Sequence, residues 1–350
     1  MKALGSTPGL DHFSTMTSQL STLTAVRFIP YLRPMVWGGR RLGEVLGKTL
    51  PSDECYGESW EVSDHPQHRS VIATGADAGQ TLRCLMQEHP EQLLGSAARR
   101  HVTFPWLVKF LDACDWLSVQ VHPDEEAVKR LWPGEGSKTE AWFVLDAAPG
   151  SRIYAGLLPG VHEKELRASL AAGKAADCLH HFQPKTGDCL YLPAGTVHAV
   201  GGGVLMAEVQ QTSDATFRLF DWNRRDAQGK ARTLHIDQAL ACIDWKRGPV
   251  QPIRSNYSWR PTHAVSERQS LVQCPYFHLE FRRQADAFTC GGEGKLQLLI
   301  ALGGSGRLLM TPKEEPVKIG QAWLLPAEMS RVECHPVGEL AFLFCTLPSS

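Results

Sequence analysis

Gly187-Asp188-Cys189-Leu190-Tyr191-Leu192-Pro193-Ala194-Gly195-Thr196-Val197-His198 is the most heavily constrained stretch of this 350-residue chain. A short apolar run, Cys189 to Leu192, sits between one glycine and a Pro-x-Gly pair, the punctuation expected around a buried strand and its following turn. Gly187 permits a tight turn into the strand, and Pro193 with Gly195 shapes the turn after it. That turn delivers His198 onto the next strand, facing inward. The spacing G-x5-P-x-G-x2-H therefore predicts a strand–turn–strand unit that ends on an imidazole.

Further runs of the same kind are expected to be strands: Leu117–His122, Ala141–Leu145, Val204–Gln210, Thr216–Phe220 and Leu296–Ala301. Apolar residues at three- and four-residue spacing predict helices over Gln80–Arg100, Glu163–Ala172 and Leu234–Asp244. Many short strands with turn punctuation predict a mainly β fold of antiparallel barrels with a few inserted α-helices; a parallel α/β fold would need regular alternation. The chain is 43% hydrophobic and carries 36 Lys plus Arg against 37 Asp plus Glu. That balance argues against a nucleic-acid or acidic-membrane partner. No apolar run approaches the ~20 residues of a membrane helix. Residues 1–25, rich in Ser and Thr, are expected to be a disordered extension without a secretory signal, with Met16 as an alternative start. Ten cysteines without a C-x-x-C pair are read as buried reduced thiols in a cytoplasmic protein.

Alternation along strands groups the polar residues. Ser118, Gln120 and His122 share one face, with Leu117, Val119 and Val121 on the other. Lys138 and Glu140 share a face, as do Thr216 and Arg218. Two neutral imidazoles and a carboxylate suit Zn²⁺ while leaving positions open for water or substrate. His122, Glu140 and His198 supply that set, with Gln120 as a weaker oxygen donor beside them. Each segment alone has a plainer reading: an exposed edge for Ser118–His122, a solvated ion pair for Lys138–Glu140, and a surface pair of Arg218 with Asp214 or Asp221. The same two-His, one-carboxylate set also suits Fe(II). Lys138 and Arg218, two cations beside it, favour a phosphorylated substrate.

The Gly187–His198 spacing is similar to the second conserved box of the cupin superfamily. With Gln120-Val121-His122-Pro123, Gly136-Ser137-Lys138-Thr139-Glu140-Ala141-Trp142 and Glu208-Val209-Gln210-Gln211 through Arg218, the chain resembles the type I mannose-6-phosphate isomerase family, particularly its shorter bacterial form. Supporting matches are Trp37-Gly38-Gly39, Gly57–Ser63 and Phe104-Pro105 through Lys109–Ala113. The family's usual S-D-x-T-Y-R stands here as Ser213-Asp214-Ala215-Thr216-Phe217-Arg218, which keeps the arginine.

The resemblance implies a zinc-dependent aldose–ketose isomerase that interconverts mannose 6-phosphate and fructose 6-phosphate through an enediol. It implies zinc, one ion per chain, on His122, Glu140 and His198 with Gln120 alongside, and Arg218 as the catalytic arginine. Lys138 would contact substrate, moving protons or binding phosphate, and Ser118, Glu58 and Glu208 would line the substrate site. Lys138, Glu58 and Glu208 are all candidates for the proton-transferring base. The expected partner is a small-molecule sugar phosphate, and the expected state is a monomer or weak homodimer. Rival readings are another metal cupin, such as a glucose-6-phosphate isomerase or a non-haem iron dioxygenase, and a non-enzymatic sugar-binding cupin.

The polar, proline-bearing stretch Lys246–Pro261 is the candidate boundary. It separates a catalytic cupin domain over 26–258, with helical insertions, from a second jelly-roll barrel over 259–350. Gly320-Gln321-Ala322-Trp323-Leu324-Leu325-Pro326 repeats the G-x5-P spacing of Gly187–Pro193. In that register Lys295 replaces Glu140 and Arg331 replaces His198. A cation repels Zn²⁺, so the second barrel is expected to be metal-free.

Overall fold

The computed structural model describes residues 23–225, 229–259, 265–311 and 313–348. Three large antiparallel sheets carry the fold. A seven-stranded sheet runs in the order Ile253–Arg254, Asp188–Leu192, Glu140–Ala147, Val204–Gln211, Trp106–Ala113, Tyr56–Val62, Tyr31–Gly39. A five-stranded sheet runs Leu179–Phe182, Ile153–Leu157, His198–Val200, Val119–Val121, Phe217–Phe220. The third sheet has eight strands and is built around the long pair Gln297–Leu309 and Val332–Thr346.

The period-two alternation of Glu140–Ala147 explains how the layers join. Trp142 and Val144 point into a cluster with Ile153, Ala155 and Val200, which bonds the seven-stranded sheet to the five-stranded one. Phe143 points the opposite way, into a cluster with Leu279, Phe281, Leu298, Ile300 and Leu343 of the eight-stranded sheet. Its ring stacks on Phe281 at 5.9 Å. The alternate residues of that third sheet, Leu299, Trp323, Leu325 and Phe342, form a separate core on its far face. The central strands of the seven-stranded sheet, Glu140–Ala147, Val204–Gln211 and Trp106–Ala113, are thus buried on both faces, and their apolar stretches are nearly continuous for that reason.

Several expectations are corrected. The helix expected over Gln80–Arg100 is three pieces, Leu82–Glu88, Pro90–Leu94 and a 3₁₀ turn Ser96–Arg100. Pro90 cannot continue the first helix, and Gly95, at φ 60°, ends the second. The helix expected over Leu234–Asp244 is only Ile236–Leu240, while Glu125–Leu131, capped by Asp124, is an additional helix. Of the expected extension, residues 1–22 lie outside the described residues, but Leu23 and Ala25 are buried, so packing begins ahead of residue 26. Val26–Arg27 pairs with Ala322–Leu325 and so belongs to the eight-stranded sheet. The boundary stretch, whose Pro261 is outside the described residues, is itself packed. Ile253–Arg254 extends the seven-stranded sheet, and the Tyr257 hydroxyl donates to Leu302 O at 2.8 Å. All ten cysteines are free, but Cys55 and Cys114 are exposed.

Candidate metal centre and active-site cleft

Three chain segments meet at one point because their backbones are tied together there. Gly195, at φ 83°, turns the chain so that its N–H donates to His122 O at 2.8 Å. The N–H of Lys138 donates to Pro123 O at 3.1 Å, and Leu192 is the register partner of Glu140. Gly187, at φ 88°, starts the strand that supplies Leu192. These links bring His122, Glu140 and His198 together, all buried, with ligand atoms within 4.8 Å of one another. Glu140 Oε2 lies 3.4 Å from His122 Nε2, and Oε1 lies 3.3 Å from His198 Nε2.

Backbone carbonyls fix both tautomers. His122 Nδ1 donates to Ala215 O at 2.8 Å and His198 Nδ1 donates to Thr196 O at 2.9 Å, since a carbonyl only accepts. The Nε2 lone pairs are thereby aimed at Glu140. His122 Nε2 and Glu140 Oε1 are buried without a hydrogen-bond partner, and Glu140 Oε2 meets the Lys138 ammonium at 3.0 Å. Converging buried acceptors are costly to leave unpaired, and a cation between them removes the conflict. The donor set therefore fits a metal ion.

Electrostatics prepare the same state. Burial, reinforced by the nearby Lys138 charge, pushes His122 down to about 4. Burial also lowers His198. For Glu140, burial opposes ionisation, but Lys138 and His122 outweigh it and hold the carboxyl well below its usual range. Near neutral pH the site offers two neutral imidazoles and one carboxylate. Lys138 Nζ sits 3.0 Å from Glu140 Oε2.

A chain of side chains leads outward from the donor set. His198, Gln120 and Arg218 are register partners on adjacent strands. Gln120 Nε2 approaches His198 Nε2 at 3.3 Å, and Gln120 Oε1 accepts from Ser118 Oγ at 3.3 Å. Ser118 Oγ in turn accepts from Arg218 Nε at 3.2 Å. Gln120, Ser118 and Arg218 line one wall of a cleft of about 280 Å³. The other wall carries Glu58 and Glu208. Glu58 Oε2 accepts from Arg33 at 3.0 Å and from Trp60 Nε1 at 2.7 Å. Glu208 pairs with Lys109 at 3.2 Å and accepts from Trp142 Nε1 at 3.0 Å.

Every residue named from the sequence as a site candidate lines this cleft or the donor set it opens onto. The surface pair expected as the plainer role of Arg218 is not formed: Asp214 faces Arg33, and Asp221 pairs with Arg224 and Arg232. Leu117 is a correction. It packs in the cluster between the sheets and not with Val119 and Val121, because the pleated strand begins only at Val119. Sequence reasoning gave no role to Arg33, Lys109, Trp132, Arg232 and His235, and to Asp214 only a surface pair with Arg218; all of them also line the cleft. Lys109 carried a signal, a lone lysine inside the apolar strand Trp106–Ala113. Arg232 carried none, and His235 fell inside the helix expected over Leu234–Asp244 but caps the shorter helix Ile236–Leu240, where no period assigns it to the cleft.

Two facing antiparallel sheets with a His–Glu–His donor set at their edge define a mainly β protein with a metal-competent interior. Residues 26–144 match the family described as phosphomannose isomerase type I, catalytic domain. The mannose-6-phosphate isomerase of Streptococcus mutans is 36% identical over 295 residues, 83% of this chain and 89% of that one. Mannose-6-phosphate isomerase ManA of Bacillus subtilis is 34% identical over 306 residues, covering 85% of this chain and 92% of that one. The crystal structure of the mannose 6-phosphate isomerase from Bacillus subtilis aligns with a TM-score of 0.81 at 28% identity, over 93% of this chain and 100% of that one. The chain belongs to the type I mannose-6-phosphate isomerase family.

Proposed function

We propose that this enzyme interconverts mannose 6-phosphate and fructose 6-phosphate through an enediol, with one Zn²⁺ per chain held by His122, Glu140 and His198. The observation that carries the reading is the buried convergence of two imidazole nitrogens and the Glu140 carboxylate, opening onto a cleft rich in cations. When bound, the ion supplies a fixed positive charge that polarises the sugar's carbonyl. Gln120 serves as a further oxygen ligand if its amide is turned so that Oε1 faces His198.

The reaction removes a proton from the carbon beside the carbonyl and returns it to the neighbouring carbon. Arg218, always charged, stabilises the enediolate that forms between these steps. Lys138, Glu58 and Glu208 are the groups able to carry the proton, and Ser118 orients both Gln120 and Arg218. Ten free thiols favour a reducing, cytoplasmic setting. Among the described residues no helix is long and apolar enough to cross a membrane. The carboxy-terminal region is read as a metal-free second barrel. Gly320, at φ 78°, and the strand Ala322–Leu325 repeat the geometry of Gly187 and Asp188–Leu192, while Lys295 and Arg331 are exposed.

A coupled assay with mannose 6-phosphate tests the reading. Chelation should abolish turnover, Zn²⁺ should restore it, and metal analysis should find one ion per chain that His198→Ala loses. Full turnover by protein verified as metal-free would overturn it.

A further inference from the structure

The cations of the cleft are unevenly matched by acids. On the seven-stranded wall Arg33 meets Glu58 at 3.0 Å and Asp214 at 3.7 Å, and Lys109 meets Glu208 at 3.2 Å. At the inner end Lys138 is held by Glu140. Toward the mouth the balance tips. Among the described residues Arg218 makes no salt bridge, and Arg232 shares its single carboxylate, Asp221, with Arg224. Arg224 has a second partner in Asp115 at 3.5 Å, so the two guanidiniums that line the cleft, Arg218 and Arg232, are the ones short of acids.

His235 is fixed in the same place. Phe217–Phe220 is the edge strand of its sheet, with Val119–Val121 on one side only. On the free side the N–H of His235 donates to Arg218 O at 2.7 Å, and His235 Nδ1 accepts the Arg218 N–H at 3.3 Å. An accepting Nδ1 leaves Nε2 carrying the proton of the neutral ring, so it is a donor. Thr233 O accepts from Arg218 at 2.9 Å, which fastens the segment between Arg232 and His235 to the strand.

These positions form a line. His198, Gln120 and Arg218 occupy three adjacent strands, so Arg218 stands about 10 Å from the row of metal ligands, at roughly 4.8 Å per strand. Arg232 and His235 lie beyond it, off the sheet edge. An open-chain hexose phosphate has the same polarity, with reacting carbons at one end and a dianion at the other. We infer that Arg232 and His235 form the phosphate-recognising end of the cleft, so that the substrate lies with its carbonyl at the metal ligands and its phosphate at the mouth. This rests on the reaction proposed above. It also assigns Lys138 away from the phosphate, because a dianion at Lys138 would meet the Glu140 carboxylate.

The test uses the metal-loaded enzyme and a hexitol 6-phosphate, which has no carbonyl and cannot react. Calorimetry should show Arg232→Gln weakening hexitol phosphate by about 10- to 100-fold, the loss expected for one charge-assisted hydrogen bond, without weakening the unphosphorylated hexitol. Arg232→Lys should recover part of the loss, and His235→Gln should weaken the same probe by about 10-fold. In turnover, Arg232→Gln should raise KM for mannose 6-phosphate far more than it lowers kcat, with metal content and melting temperature retained. Equal affinity of Arg232→Gln and wild type for hexitol phosphate would overturn the subsite, as would equal losses for the phosphorylated and unphosphorylated probes. Wild type that binds hexitol phosphate through Arg232 yet never isomerises mannose 6-phosphate would leave the subsite standing and remove the proposed reaction instead.

Discussion

Lys138 places its ammonium 3.0 Å from Oε2 of Glu140, with the two side chains only 5% and 1% exposed. A metal ion and this ammonium draw on the same carboxylate, so Lys138 is not needed to neutralise Glu140 once the ion is bound. Lys138→Met, which keeps the length and removes the charge, should retain one metal per chain and lower kcat by about 10²-fold or more. Metal analysis beside kcat separates the two roles. Loss of the metal in the variant would assign Lys138 to maintaining the donor set instead.

Arg218 has a fixed charge, a hydrogen bond to Ser118 and, among the described residues, no salt bridge. Arg218→Ala should reduce kcat by about 10²-fold or more while the metal stays bound, as expected for a group that stabilises developing charge. Turnover left intact with only a higher KM would show that it holds ground-state substrate.

Phe143 is fully buried between the seven- and eight-stranded sheets, where its ring lies nearly parallel to Phe281 at an interplanar angle of 15°. Phe143→Ala should cost about 3–5 kcal/mol in unfolding free energy by removing that packing and leaving a cavity. Denaturant titration measures it, provided the transition is two-state. A cost below about 1 kcal/mol would mean that the layer refills easily or contributes little.

Glu135 joins two distant segments, those of His65 and Ser213. His65 Nδ1 accepts the Gln67 N–H at 3.3 Å, so Nε2 carries the proton and donates to Glu135 at 3.2 Å. That hydrogen bond, with a second from Ser213, holds the Glu135 carboxyl below its ordinary value of 4.5. A carboxyl lowered on folding adds stability that is complete above its unfolded value and fades as pH falls through the folded one. Unfolding free energy followed from pH 6 to pH 3 should therefore fall less steeply in Glu135→Gln than in wild type. Identical slopes would refute the assignment.

The donor set was legible because its residues sit in segments with strict local rules. Gly187, Pro193 and Gly195 dictate a strand and a turn whatever surrounds them, and His198 follows at a fixed offset. Lys138 and Glu140 were grouped by alternation; the strand begins only at Glu140, yet the Lys138 ammonium still meets the carboxylate. Arg232 and His235 were invisible for the opposite reason. They reach the cleft from the segment that leads into the helix Ile236–Leu240, fastened to Arg218 by long-range bonds that no period encodes. Leu117 was misassigned because alternation was extended past the end of the real strand. The break-up of Gln80–Arg100 was written plainly in Pro90 and Gly95, but apolar spacing alone does not see it.

The pairing of Val26–Arg27 with Ala322–Leu325 has a consequence for how the molecule is made and cut. The first described strand emerges from the ribosome almost a full chain length before its partner exists, so its sheet edge closes only when synthesis is nearly complete. Until then an unpaired row of backbone donors and acceptors is exposed. A fragment ending near residue 258 keeps the donor set but strands this segment without its neighbour, and the complementary fragment carries a bare edge at Ala322–Leu325. Separated halves should be adhesive toward each other and toward their own copies, and mixing them should restore the missing ladder more readily than either half stays in solution alone.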